Sequence, residues 1–167
     1  NEYGRVDKAA AWTLLARLYL NAQVYTGTQR NSDVITYCDK VIAAGYSLNT
    51  TYANLFLTDN NVNNPENIFS VVYDGTYTQT NGGTTYLVHA AIGGTMDPQD
   101  FGVNGGWGGL RTTKAFVNKF ESTDLRGRFY KDGQTLEIND LGNFNDGYAF
   151  IKYKNISSAG AAGVHDN

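Results

Sequence analysis

At 167 residues the chain has room for one domain of ordinary size, and a hydrophobic content of 41% marks it as globular. Only 17% of its residues are charged, with 13 Lys and Arg against 16 Asp and Glu, so it lacks the clustered cations that nucleic acid demands. Its 19 Gly and 12 Tyr point to a polar, weakly charged surface that suits a neutral partner.

The first expected element is a helix from Val6 to about Tyr25, rich in helix formers such as Ala9, Ala10, Leu14, Leu15 and Leu18. Its apolar positions cover more than one face, which predicts a helix sandwiched between neighbours. Gly27-Thr28 ends it. A second helix is expected from Asn31-Ser32, either of which can cap it, to Ala44, with Gly45 as the left-handed residue beyond its end. Ala16 and Tyr19 on the first helix, and Tyr37, Val41 and Ala44 on the second, recur at steps of three and four. Small and large residues at such steps let two helices approach closely, as in tetratricopeptide (TPR) repeats. One repeat cannot bury its own face, so this hairpin needs something further to pack on. Trp12 reads as packing, and Cys38 as a small buried hydrophobe. A single cysteine excludes an internal disulfide.

Tyr52 to Leu57 can form a short helical turn, and Asp59 to Pro65 is a loop by composition. Asn67 to Tyr73 reads as a buried strand bounded by Pro65 and Asp74-Gly75. From Thr76 to Gly109 Gly, Thr, Asn and aromatics dominate without periodicity, which predicts a long functional loop. Thr112-Thr113 can cap a helix reaching about Glu121, with Ala115, Phe116, Val117 and Phe120 inward. Gln134 to Ile138 and Tyr148 to Tyr153 read as strands, and residues 157–163 as a flexible tail. No run approaches the ~18 apolar residues of a membrane span. No signal segment precedes Asn1, so the chain reads as a piece of something longer or as a processed product.

Several landmarks now line up. They are Gly4-Arg5-Val6 leading into the Ala- and Leu-rich helix, and Tyr37-Cys38-Asp39-Lys40-Val41-Ile42 with its Gly45-Tyr46 tail. Asn64-Pro65-Glu66-Asn67-Ile68-Phe69 follows. Then come Trp107-Gly108-Gly109-Leu110-Arg111 before the third helix, Asp124-Leu125-Arg126, and Ile151-Lys152-Tyr153. Together, and in this order, they resemble the SusD/RagB family of surface glycan-binding lipoproteins. The resemblance implies a SusD-like α-fold: mostly α, with irregular loops, a few short strands and a TPR-like helical hairpin. The chain would be an internal fragment, about a third of a typical member, and part of a single domain. Within it, 4–48 would be the hairpin, 49–110 the strand- and loop-rich glycan-binding region, and 111–167 a helix followed by short strands and a flexible tail. Such proteins sit at the bacterial outer-membrane surface of Bacteroidetes, held by a lipid anchor not present in this chain. They bind glycan and deliver it to a SusC-like TonB-dependent transporter, with no enzyme activity and no cofactor.

Sugar binding needs flat aromatic faces for pyranose C–H surfaces and planar polar groups at the edge. Trp107, flanked on both sides by Gly pairs, is either an exposed stacking platform or an anchor that folds the loop onto the body. Tyr77 and Tyr86 are further candidate ligand contacts, Tyr73 is expected to be structural, and Asn81 and Asn104 are candidate hydroxyl partners. Arg111, Asp124 and Arg126 are expected to fix loop geometry. A glycosidase would need two carboxylates at a set separation; Asp97, Asp100 and Glu137 are available but read as loop-capping acids. His89 and His165 lack ligand spacing, so no metal site is expected. The alternative to glycan binding is a TPR-like protein-interaction scaffold without a sugar site.

Overall fold

The computed structural model describes residues 3–62 and 64–163; Asn1, Asn63 and His165, all used in the sequence reading, lie outside them. The chain forms two compact units, Asn1–Thr50 with Asn63–Val72, and Thr51–Val62 with Tyr73–Asn167. Regular structure is mostly helical, with two short strands and extensive loops, consistent with a SusD-like α-fold.

The first unit is built on helices α1 (Lys8–Leu20), α2 (Ala22–Thr26) and α3 (Asn31–Ile42). Asp7 starts α1 by accepting the Ala10 N–H at 2.9 Å, and this bond holds its carboxyl below the usual carboxylate range. The expected continuous helix breaks at Asn21, whose φ of -100° and ψ of 7° leave the helical region; its side-chain amide donates to the Arg17 carbonyl. Gly27 then ends α2 at φ +75°. Arg30 lies over the Tyr19 ring and Lys40 near Trp12, so late α1 meets early α3, early α1 meets late α3, and the two run antiparallel. Small residues permit the approach: Ala9 and Ala16 are buried, and Tyr19 and Tyr37 stack at 5.6 Å.

Three readings of this unit need correction. Neither Asn31 nor Ser32 caps α3; Arg30 stands at the cap without a side-chain bond and instead pairs with Asp33 at 2.6 Å. Cys38 is exposed, because it lines an open groove between α1 and α3 instead of a closed core. Asn67 to Val72 is not a buried strand: Phe69 and Val71 are 45% and 75% exposed, and no strand is assigned there. The segment is tethered by single bonds, Pro65 O accepting from Ser47 N and Glu66 Oε2 from Asn49 N, and these supply no ladder.

The second unit opens with a 3-10 turn, Tyr52–Phe56, as expected, and continues through helix α4 (Gly83–His89), a 3-10 turn Pro98–Phe101, helix α5 (Lys114–Val117) and strands β1 (Phe129–Tyr130) and β2 (Ala149–Phe150). β1 and β2 pair antiparallel, Phe129 opposite Phe150 and Tyr130 opposite Ala149. The expected strand Gln134–Ile138 does not form; the run contributes one isolated bridge, Thr135 to Asp146. Thr113 caps α5 as its sequence suggests, accepting from Phe116 N, but the helix is one turn long and Ala115 faces outward. Phe116, Phe120, Phe129 and Phe150 form an edge-to-face cluster across α5 and the strands.

The largest difference from expectation lies between Thr76 and Gly109. This stretch holds α4 and a 3-10 turn, and it supplies Val88, Ile92, Met96, Phe101 and Val103, which with Ala149 form the core of the second unit. Tyr73, expected within a strand, is exposed.

Candidate functional site

The site is built on the C-terminal end of α4. A helix leaves its last carbonyls short of intrahelical partners, and here the glycine-rich segment 105–110 bonds to His89, the last residue of α4, and to Ala90 and Ile92 just beyond it. Trp107 N–H donates to the His89 carbonyl at 2.8 Å, Gly108 N–H to Ile92 at 2.9 Å, and the N–H groups of Gly109 and Leu110 both reach Ala90. A loop without side chains is needed for this approach. A Cβ on Gly106 would stand 2.3 Å from the Ile92 carbonyl oxygen, and Gly108 has φ +61°.

The result is a cluster of three rings. The Trp107 indole stacks on His89, with centroids 4.9 Å apart and planes at 20°, while Tyr86 stands 6.2 Å away at 52°. Tyr86 and His89 are three residues apart on α4, so they share a face of the helix. His89 is buried, whereas Trp107 is 48% exposed and Tyr86 44% exposed. Trp107 is thus packed on His89 over one part and open to solvent over the rest. His89 itself was not legible as a contributor, because α4 was not; the Tyr86-x-x-His89 spacing has meaning only on a helix.

The remaining candidates stand apart from this cluster in character. Tyr77 is 87% exposed on a tight turn in which Asp74 Oδ1 accepts from the N–H groups of Thr76 and Tyr77. Asn81 is exposed in the bend that precedes α4, and Asn104 is exposed just before Gly105.

The charged residues hold loops in place. Arg111 donates to the carbonyls of Leu141, Asn143 and Asp146, closing the loop that carries Phe144, and its guanidinium lies over that ring. Arg126 grips Asp124 through both carboxylate oxygens, holding the Asp124 carboxyl down at about 2. Asp97 caps the 3-10 turn by accepting from Gln99 N, and Glu137 pairs with Lys114. Among the described residues no group of three His, Cys, Asp or Glu could hold a metal ion, and no helix is long and apolar enough to cross a membrane.

No family model matches the chain. Over 123 residues, 72% of its length, it is 42% identical to the starch-binding protein SusD of Bacteroides thetaiotaomicron, and it spans 22% of that relative. The resemblance to SusD-type sequences drawn from the motifs is matched by this identity, which extends over 72% of the chain and 22% of the relative.

Proposed function

We propose that this SusD-like chain is one segment of a larger glycan-binding domain, and that Trp107 and Tyr86 form its sugar-contacting surface. The observation that carries the reading is the pair of half-exposed rings on a backbone tied to the end of α4. A fixed, half-open indole offers a pyranose ring a flat apolar face without having to be ordered on binding. Asn104, Asn81 and Tyr77 supply edge hydrogen bonds or further contacts from neighbouring loops. The chemistry is binding without bond cleavage. The name of the relative makes starch the first glycan to try. In the whole protein this surface would lie outside the outer membrane, anchored by lipid, and would pass glycan to a SusC-like TonB-dependent transporter.

Affinity electrophoresis against a polysaccharide panel that includes amylopectin tests this. Retardation by a glycan is expected, and Trp107→Ala should weaken it by at least about tenfold, the loss of one well-placed aromatic contact. Retardation that survives the substitution removes Trp107 from the site. Release of reducing sugar would reveal an enzyme instead.

A second reading, a helical scaffold for a protein partner, is favoured by an open apolar groove of about 360 Å³ lined by Ala16, Leu20, Val41, Ile42 and Ile68. A chain that no glycan retards would leave that reading standing.

A further inference from the structure

We propose that His89 is a positioning residue: it sets the plane of the Trp107 indole, so that one face is committed to the protein and the other is presented to sugar. The inference rests on the reading of Trp107 as a glycan platform.

His89 holds the tryptophan segment at three points. Its backbone carbonyl accepts the Trp107 N–H at 2.8 Å. Its imidazole Nδ1 meets the Gly105 carbonyl at 2.7 Å. A carbonyl can only accept, so Nδ1 carries a proton and donates, which fixes the ring orientation. The ring so fixed is the one that stacks under the indole at 4.9 Å.

These contacts matter because the loop cannot orient the indole by itself. Gly105, Gly106, Gly108 and Gly109 flank it and offer no Cβ against which it could lean. His89, in contrast, cannot easily move. It is 3% exposed at the end of α4, and its neighbour Val88 is buried in the core at 2%. The rigid ring passes the order of the core to a side chain that projects from a glycine loop. Tyr86, held on the same helix face, adds a second plane at 52° to the first. A platform ordered before the ligand arrives does not lose rotamer freedom on binding, so removing its support weakens binding without touching the ligand.

The test compares His89→Phe with His89→Leu. Both fill the buried position, but only Phe can stack. Each is placed in a Trp12→Phe background, so that Trp107 remains the one indole of the chain, and each is read by near-ultraviolet circular dichroism and by affinity for amylopectin. With His89→Leu the Trp107 band should collapse and affinity should fall about tenfold, the scale of a lost stacked pair. With His89→Phe, which keeps the stack but loses the bond to Gly105, the band should persist at reduced strength and affinity should stay within about threefold. A role in packing alone would make the two variants alike, and that result overturns the proposal. Trp107→Ala runs beside them. If it leaves affinity unchanged, the glycan reading fails, while the dichroism still decides whether His89 positions the indole.

Discussion

The two units of this chain invert the usual relation between regular sequence and buried structure. The hairpin has the most periodic sequence, yet among its described residues the buried hydrophobic ones are three alanines, Ala9, Ala16 and Ala22. Leu14, Leu20 and Ile42 are 59%, 64% and 75% exposed. The stretch from Thr76 to Gly109, which shows no period, supplies five of the six buried members of the core cluster. Periodicity reports that a helix will form; it does not report how much of that helix finds a partner.

The largest test of this contrast is a pair of truncations. Ile92→Ala should cost about 2–5 kcal/mol in denaturant unfolding, because a fully buried side chain leaves a cavity. Leu14→Ala should stay within about 0.5 kcal/mol, as befits an exposed helical position. Equal losses would mean that the hairpin is as well packed as the core. Next, Gly106→Ala pushes a Cβ into the Ile92 carbonyl. It should destabilise the second unit by about 1–3 kcal/mol and erase the near-ultraviolet signal of Trp107, leaving the hairpin helices unchanged.

Smaller effects separate the units by pH. Folding lowers the Asp124 carboxyl from its ordinary 3.8 to about 2, chiefly through the Arg126 hydrogen bonds. The pair therefore adds stability that is fully present above pH 3.8 and is lost as pH falls through about 2. In a carboxyl-resonance NMR titration, Arg126→Ala should return the midpoint toward 3.8. A midpoint that stays low would assign the shift to the turn backbone. Asp7 follows the same sign in the hairpin, with Ala10 N–H as the main cause. Asp7→Asn keeps an oxygen acceptor at the cap and should preserve the helical dichroism that Asp7→Ala reduces.

How legible each unit was in sequence follows from the same contrast. α1 was readable from its Ala and Leu content, α3 from the steps of three and four between Tyr37, Val41 and Ala44, Gly45 at φ +87° from the need for a left-handed residue, and Thr113 from its cap chemistry. α4 was hidden because it begins at Gly83 and continues with Thr84 and Thr85, all poor helix formers; the packing of Val88 outweighs that local preference. Asn67 to Tyr73 misled in the opposite direction, since its Ile, Phe and Val content reads as strand but among the described residues no strand pairs with it. Of the candidate site, Trp107 was found through its glycines, whereas its partner His89 required the helix to be known first.

The most direct measurement uses the two indoles, Trp12 on the hairpin and Trp107 on the glycine loop. Their Nε1–H resonances, assigned with Trp12→Phe, can be followed by NMR while a soluble α-1,4-glucan such as maltoheptaose is added. The account predicts that the Trp107 resonance shifts saturably while Trp12 stays in place. Binding seen by calorimetry with Trp107 unmoved, or with Trp12 moving instead, would contradict it.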